Sequence, residues 1–209
     1  MNASLSSLTV TLTLALVFSA PSTCSATVST FDELFDTHAG GGTLITNRYQ
    51  GLVWSNFAVG NAILHTANDG LSGYYYGMLT PSNVALNAHG EPAEVDATGT
   101  NFNFLSVYLT GAWRSNLNIE VQGFRAGTLL YDQTVVANAT NSTLFAFNYL
   151  DIDRLEFNSF DGQYAGFSSD GGNLAMDNFT FEFVPEPSSF LLTAAAALML
   201  WPILKRRRP

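Results

Sequence analysis

Three oxygen-bearing side chains from opposite ends of the polar middle region could share a metal ion. Asp32 lies near the start of this region, whereas Asp177 and Asn178 open its last apolar segment. Calcium takes about six to eight oxygen ligands and accepts carboxylate and amide oxygens. These three residues can contribute to a structural calcium site if the first and last strands are neighbours. The alternative is that Asp32 caps a short helix and Asp177 closes a turn.

Three consecutive tyrosines, Tyr74, Tyr75 and Tyr76, form the second candidate site. Exposed tyrosine rings combine an apolar face with a polar edge and can stack on sugar rings. Successive side chains of a strand point to opposite faces, so all three cannot be buried in one strand. We therefore expect at least one to face solvent as a ligand contact. Trp54 and Trp113 could join the platform, although the apolar surroundings of Trp54 are typical of a core residue.

The sequence contains no recognisable catalytic motif. The histidines, His38, His65 and His89, are scattered, without His-x-x-x-His spacing or a Gly-x-Ser-x-Gly elbow. Asp151 and Asp153 share one face of an expected strand, where we expect them to be solvated. We predict a protein that is not an enzyme and has no cofactor other than the candidate calcium. The alternative is a secreted glycoside hydrolase or polysaccharide-modifying enzyme on a jelly-roll scaffold.

The middle region is strongly acidic. Sixteen of the 17 acidic residues, but only four basic residues and no lysine, lie between residues 27 and 184. This charge repels the phosphates of nucleic acids, which excludes them as partners. It also disfavours anionic membrane surfaces. Neutral sugars and divalent cations remain as candidate ligands of an extracellular domain.

The middle region shows the period-two alternation of β-strands. Short alternating segments bounded by Gly, Asn or Asp recur at 117–122, 145–149, 154–158 and 179–183. A change of alternation at Phe104 and Leu105 predicts a bulge, and residues 125–129 predict a hairpin turn. Residues 30–35 alone have a helical signature, a capping box formed by Thr30 and Glu33.

About ten short strands without long helices predict an all-β fold, namely an antiparallel β-sandwich. A jelly-roll topology like that of galactose-binding and carbohydrate-binding modules is the preferred form, by analogy. We assign residues 27–183 to this extracellular domain, between an N-terminal signal helix and a C-terminal transmembrane helix.

The N-terminus has the pattern of a secretory signal peptide. Residues 8–20 are apolar, and Cys24, Ser25 and Ala26 offer a cleavage site of small residues. Residues 1–9 lack Lys and Arg, which departs from the usual pattern. We predict that residues 1–26 direct export through the Sec translocon and are then removed. Cys24 is the only cysteine in the sequence, so its removal leaves no disulfide.

The C-terminal residues 184–209 combine a tripeptide, an apolar segment and a basic cluster. Pro185, Glu186 and Pro187 precede residues 190–204, which carry no charge and would span about 22 Å as a helix. A bilayer core is about 30 Å thick, so flanking residues must extend the span by snorkelling. The basic cluster would keep the C-terminal end of this helix in the cytoplasm. The predicted membrane helix contains Phe190, Leu191, Leu192, Leu198, Leu200, Trp201, Ile203 and Leu204, and the basic stop is Lys205, Arg206, Arg207 and Arg208.

This order of elements resembles the PEP-CTERM sorting signal of Gram-negative bacteria. The resemblance implies that the membrane protease exosortase recognises Pro185, Glu186 and Pro187. Residues 49–57 and 81–87 also resemble segments of secreted PEP-CTERM proteins, which are often associated with exopolysaccharide or biofilm. The family implies no catalytic residue. It implies an exported protein that is first anchored in the inner membrane and then reaches the cell surface or extracellular matrix, with exopolysaccharide as a candidate partner.

The sorting signal predicts proteolytic removal of the tail. Intact-mass spectrometry of surface material from the native host should show a protein that lacks residues 190–209. Replacing Pro185, Glu186 and Pro187 by alanine should leave the precursor in the inner membrane, whereas replacing Ser188 and Ser189 should not. Recovery of the complete C-terminus from most mature molecules would contradict this prediction.

Overall fold

A computed structural model describes residues 25–37, 42–46 and 48–185. The strands in these residues are β1 (Thr27–Ser29), β2 (Thr43–Leu44), β3 (Arg48–Tyr49), β4 (Leu52–Ser55), β5 (Phe57–Asn61), β6 (Asn83–Asn87), β7 (Ala93–Asp96), β8 (Phe102–Gly111), β9 (Arg114–Ser115), β10 (Leu117–Arg125), β11 (Thr128–Ala137), β12 (Thr143–Ile152), β13 (Arg154–Phe160), β14 (Gln163–Tyr164) and β15 (Leu174–Phe183). The helices are α1 (Ala62–Asp69) and α2 (Gly73–Gly77), and a 3-10 turn covers Ala88–Gly90.

The strands form two antiparallel sheets that pack face to face. The seven-stranded sheet has the order β12-β8-β15-β6-β5-β2, with β1 also paired to β15. The six-stranded sheet has the order β11-β10-β13-β7-β4-β3, and β9 pairs separately with β14. The first and last strands are therefore neighbours. The fold is all-β, an antiparallel sandwich of jelly-roll type, as the sequence predicts.

Aromatic side chains fill the space between the two sheets. Phe104 stacks on Phe147 at 5.1 Å and on Phe179 at 4.8 Å between ring centroids. Trp54 meets Phe57 edge-on at 5.4 Å and is buried, which confirms that Trp54 is a core residue. Burying each such side chain stabilises the fold by roughly 1.5–3 kcal/mol. This core fixes the spacing and register of the sheets.

The predicted bulge and hairpin are both confirmed. Phe104 and Val107 face the core, so the inward alternation changes between them, and Leu105 has no counterpart in the pairing with β15. The extra residue lets both halves of β8 bury their apolar side chains. Strands β10 and β11 are joined at Ala126 and Gly127, whose φ angles of 48° and 76° are those of a tight hairpin turn.

The helix predicted at residues 30–35 is wrong. Phe31 has a φ of 65°, and the segment forms a turn in which the Leu34 N–H donates to the Phe31 carbonyl at 3.1 Å. The Phe31 ring is fully buried in the core. Burial of this ring therefore outweighs the local helix signature. The strand assumed for Tyr74, Tyr75 and Tyr76 is also wrong, because they lie on α2.

Several predicted segments lie outside the described residues. They are the signal peptide up to residue 24, Glu186, Pro187, the membrane helix and the basic stop. In the part of the chain that the structure describes, no helix has the length and apolar character needed to cross a membrane.

Gly73 allows α2 to approach the end of β8. The Gly73 N–H donates to the Ala112 carbonyl at 2.7 Å. A Cβ atom added to Gly73 would lie 1.8 Å from the Gly111 carbonyl oxygen, a distance that no real contact permits. The position of α2, and with it that of the tyrosines, therefore depends on the absence of a side chain at residue 73.

We predict that Gly73→Ala destabilises the protein by roughly 1–3 kcal/mol, the usual cost of forcing atoms into a packed site. The matched control is Gly172→Ala, because a Cβ there would lie 3.6 Å from its nearest neighbour, an ordinary contact. Thermal unfolding of the two variants should show a clearly lower melting temperature for Gly73→Ala alone. Equal melting temperatures would contradict the close approach.

Candidate functional site

A second apolar cluster lies on the outer face of the seven-stranded sheet. Ala58 and Leu86 from the sheet pack with Tyr74 of α2 and with Trp113. The small side chains of Ala58 and Ala175 in this cluster let the helices lie close to the sheet. Tyr74 meets Trp113 edge-on, with ring centroids 5.4 Å apart. This cluster holds the helices in place and forms one wall of the site.

Beside this cluster, the outer face of the sheet is open as a groove of about 540 Å³. Ala58 and Leu86 contribute apolar surface, and Tyr74, His89 and Asn173 add polar atoms. This volume falls within the range of roughly 300–1,000 Å³ that is usual for ligand sites. The groove therefore has the size and the mixed lining of a small-ligand site.

A smaller cavity of about 30 Å³ adjoins the groove, and both are lined by Tyr74 and Leu86. Asp36, Asn61 and His65 also line this cavity. Its volume exceeds the roughly 10–15 Å³ that one water molecule needs. The cavity can thus hold one hydroxyl-sized group of a ligand that lies in the groove.

Asp36 and Asn61 set the position of the cavity wall. The Asp36 carboxylate accepts hydrogen bonds from the Asn61 N–H and from the Thr43 hydroxyl, each at 3.0 Å. The Asn61 side chain then caps α1 by accepting from the N–H groups of Ile63 and Leu64 at 3.1 and 3.0 Å. These contacts connect β2, β5 and the start of α1, the helix that carries His65.

His65 is the most unusual group in the cavity. Its ring packs against Tyr74 at 4.9 Å and Trp113 at 5.6 Å. Burial lowers the pKa of His65, although Asp69 and Asp36 act in the opposite direction. The imidazole is therefore neutral near pH 7. Its Nδ1 atom is buried and has no hydrogen-bond partner among the described residues.

The three tyrosines have three different environments. Tyr74 is buried and lines the groove. Tyr75 is 42% exposed, and half-buried Tyr76 stacks on Phe167 at 6.3 Å between centroids. Only Tyr74 therefore belongs to the groove, and contact of Tyr75 or Tyr76 with a ligand stays a prediction. Sequence reasoning missed His65 and Asp36. Asn61, an N-cap residue type directly before the apolar start of α1, was the one local signal for this helix.

The candidate calcium ligand Asp177 closes a turn. One carboxylate oxygen accepts from the Leu79 and Thr80 N–H groups at 2.8 and 3.1 Å, and the other accepts from the Asn178 N–H at 2.7 Å. This agrees with the alternative to calcium stated for Asp177. Burial raises the pKa of Asp177, and the nearby Asp32 carboxylate adds to the rise, while the N–H donors oppose it.

Asp32 binds the same part of the chain. Its carboxylate accepts from the Asn83 N–H at 3.0 Å and does not cap a helix. No group of three or more His, Cys, Asp or Glu side chains suited to a metal occurs among the described residues. The Asn178 Oδ1 atom is buried without a partner there, so it is the oxygen that best fits a cation. Calcium binding by Asp32, Asp177 and Asn178 stays a prediction.

We expect Asp177→Ala to destabilise the fold by roughly 2–5 kcal/mol, because the N–H groups that it binds would be left unpaired. The loss in melting temperature should be similar in millimolar calcium and in chelator at constant ionic strength. Asp153→Ala is the control, since Asp153 binds one N–H, that of Ala126, at an exposed turn. A loss seen only with calcium, and shared by Asn178→Ala, would instead assign Asp177 to a cation.

The fold is similar to several solved structures at low sequence identity. These include the CBM22 tandem of Paenibacillus barcinonensis Xyn10C, at 13% identity and a TM-score of 0.43, covering 82% of this chain and 49% of the tandem. A DUF4465 family protein from Bacteroides ovatus matches at 10% identity and a TM-score of 0.40, covering 60% of this chain and 71% of its own. The family 32 carbohydrate-binding module of C. perfringens NanJ, in complex with galactose, matches at 12% identity and a TM-score of 0.36, covering 65% and 95%.

These similarities concern the fold alone. This chain spans about half the length of the CBM22 tandem, covering 49% of it. Neither a protein-family model nor a curated protein matches the sequence.

Proposed function

We propose that this protein is a non-enzymatic, exported surface or extracellular-matrix protein whose sandwich binds neutral glycans in the groove beside Tyr74. The observation that carries the proposal is that the groove and the small cavity at His65 share Tyr74 and Leu86 as lining residues. The groove provides a largely apolar surface of sugar size. His65, which lines the cavity, has a buried Nδ1 atom without a hydrogen-bond partner among the described residues.

The chemistry of a sugar ring matches this arrangement. A pyranose has apolar C–H faces and a rim of hydroxyl groups, so one face can lie on the exposed Leu44 side chain in the groove. Ring hydroxyls then reach His89 and Asn173, which also line the groove. One hydroxyl enters the small cavity and donates to the Nδ1 atom of His65. An unpaired buried polar atom costs roughly 1–3 kcal/mol, and this contact removes that cost.

The charge of the site favours neutral sugars over acidic ones. Asp36 is the only carboxylate that lines the groove or the cavity within the described residues. A uronic acid would bring a second negative charge close to Asp36, in a domain that is already strongly acidic. Like charges at short distance repel, so acidic polysaccharides should bind more weakly.

The same count of carboxylates supports a binding function rather than hydrolysis. Most glycoside hydrolases need two carboxyl groups about 5–10 Å apart across the bond that is cut. Within the described residues, no carboxylate lines the groove and Asp36 alone lines the cavity. The Asp36 side chain already accepts from the Asn61 N–H and the Thr43 hydroxyl. A second carboxyl group for the usual pair is absent from the linings of the groove and the cavity within the described residues.

The C-terminal signal supplies the route to the cell surface in this proposal. The Sec translocon exports the chain, the membrane helix holds the precursor in the inner membrane, and exosortase acts at Pro185, Glu186 and Pro187. The position at which the sandwich ends supports a separate sorting signal after the folded domain. The Val184 N–H still donates to the Asn101 carbonyl at 2.9 Å, so the sandwich ends one residue before the motif.

Binding of the full chain, purified in detergent, to an array of neutral and acidic glycans tests the proposal. We expect binding to neutral glycans and no release of reducing sugar from them. His65→Ala should weaken binding about tenfold, since a lost contact of about 1.4 kcal/mol changes the dissociation constant tenfold. The matched control is Leu64→Ala, which alters an exposed side chain of α1 outside the groove and the cavity. Tyr75→Ala tests the exposed tyrosines.

Three outcomes would contradict parts of this proposal. Loss of binding in Tyr75→Ala alone would move the site to the exposed tyrosines. Release of reducing sugar that a single Asp or Glu substitution abolishes would make the protein a hydrolase. Absence of binding to every glycan would exclude the proposed ligand class and leave a structural role in the matrix.

A further inference from the structure

The two sheets end in long strands on one side of the sandwich and in short strands on the other. β11 is the edge of the six-stranded sheet and β12 that of the seven-stranded sheet, and each has 10 residues. The opposite edges, β3 and β2, have 2 residues each. Very short edge strands prevent pairing with other chains. Within the described residues, the side formed by β11 and β12, the long edge, is therefore the open one.

The long edge lacks the side chains that usually prevent association. β11 contains no Pro, Lys or Arg, and Asp132 is its only charged residue. Leu129, Leu130 and Val136 of β11 are each 45–49% exposed, and Leu144 and Leu150 of β12 are 50% and 52% exposed. Proteins commonly protect an exposed edge with lysine or proline. Pairing with β10 shows a bulge at Leu130, whereas residues 131–137 of β11 are in regular register. This regular, unprotected part of β11 is suited to pairing with another strand.

The midpoints of β11 and β12 lie one above the other. Tyr131 stacks on Tyr149, with ring centroids 4.6 Å apart and ring planes within 10°. Tyr131 is the fourth residue of β11, and Tyr149 is the fourth from the end of β12. The chain leaves β11 and enters β12 at the same end of the sandwich, so the two strands run in opposite directions. Their midpoints are therefore aligned. One axis perpendicular to the sheets can thus pass through the middle of both edges.

We propose that the long edge binds a second copy of this chain, with β11 of each copy antiparallel to the other across a two-fold axis at Gln133. A second copy offers two long edges at the same spacing, so it extends both sheets at once. On the opposite side, the part of the chain that the structure describes has strands of only 2 residues at the edges, so it offers no second long edge. Copies therefore meet long edge to long edge, which gives a closed dimer rather than a filament.

The sequence of β11 is compatible with pairing to itself in this register. Asp132 lies opposite the partner's Thr134, which can donate a hydrogen bond to it. On the inner face, Tyr131 lies opposite the partner's Val135, an aromatic and β-branched pair that stabilises antiparallel strands. No two acidic residues of β11 are directly opposed, because Asp132 is its only charged residue. The net charge of −9 per chain still opposes association, so added salt should strengthen the dimer.

Light scattering on the full chain in detergent, with the detergent mass subtracted, tests the proposal. We expect a dimer that becomes tighter as salt is raised. The double substitution Leu130→Lys and Val136→Lys should weaken it at least tenfold without a large change in melting temperature. The control is Leu64→Lys, at a residue of α1 that is 49% exposed and far from the long edge in sequence. These variants keep the tail, so association through the membrane segment is equal in all of them.

A disulfide formed across the axis tests the register. In a Cys24→Ser background, Gln133→Cys should give a covalent dimer on mild oxidation, because residue 133 faces itself across the axis. Thr98→Cys, in an exposed turn, should not. A monomer at all salt concentrations would overturn the proposal. A dimer that survives both lysines and forms no Gln133→Cys cross-link would also overturn it, since the interface would then lie elsewhere.

Discussion

The structure depends on the pairing of β15, the last strand, within the seven-stranded sheet. β15 is hydrogen-bonded to β8 on one side and to β1 and β6 on the other. Its Asp177 also binds the N–H groups of Leu79 and Thr80, nearly a hundred residues earlier in the chain. This contact fixes the segment between α2 and β6, and hence the wall and floor of the groove. Because a central strand of this sheet is the last strand in the sequence, the sheet relies on contacts between distant parts of the chain. Such long-range contacts are typical of slowly folding β-proteins.

The parts of the fold that were predictable from sequence are those specified by local pattern. The alternation of β8, with its change at Leu105, requires a bulge whatever the neighbouring strands are. The turn at Gly127 is likewise specified by its own residues. The segment around Phe31 was mispredicted because its capping box is local, whereas the burial of its ring depends on Trp54 and Tyr49, which contact it only in the folded chain.

The groove could not be predicted because it results from residues of different strands that meet only in the folded sheet. Ala58 and Leu86 come from adjacent strands, and each alone has the pattern of an ordinary strand residue. His65 is unremarkable in sequence and becomes a candidate ligand contact only when Tyr74 and Trp113 surround it. The three tyrosines lie on a helix, which divides them between the groove and the outer surface. Tertiary packing thus decided the site, whereas local pattern decided the strands.

The strand order determines how the two grooves of the proposed dimer would be placed for binding one polysaccharide chain. An axis perpendicular to the sheets places both seven-stranded sheets side by side with their outer faces pointing in the same direction. The groove lies over β6 and β5, the fourth and fifth strands in the order that starts at β12. At about 4.8 Å per strand, each groove lies about 20 Å from the axis, so the two are about 40 Å apart on one surface. A polysaccharide long enough to bridge them gains avidity of roughly 10²–10⁴, whereas a short oligosaccharide gains none. Chain length, rather than the identity of a single sugar, would then separate retained from released glycans.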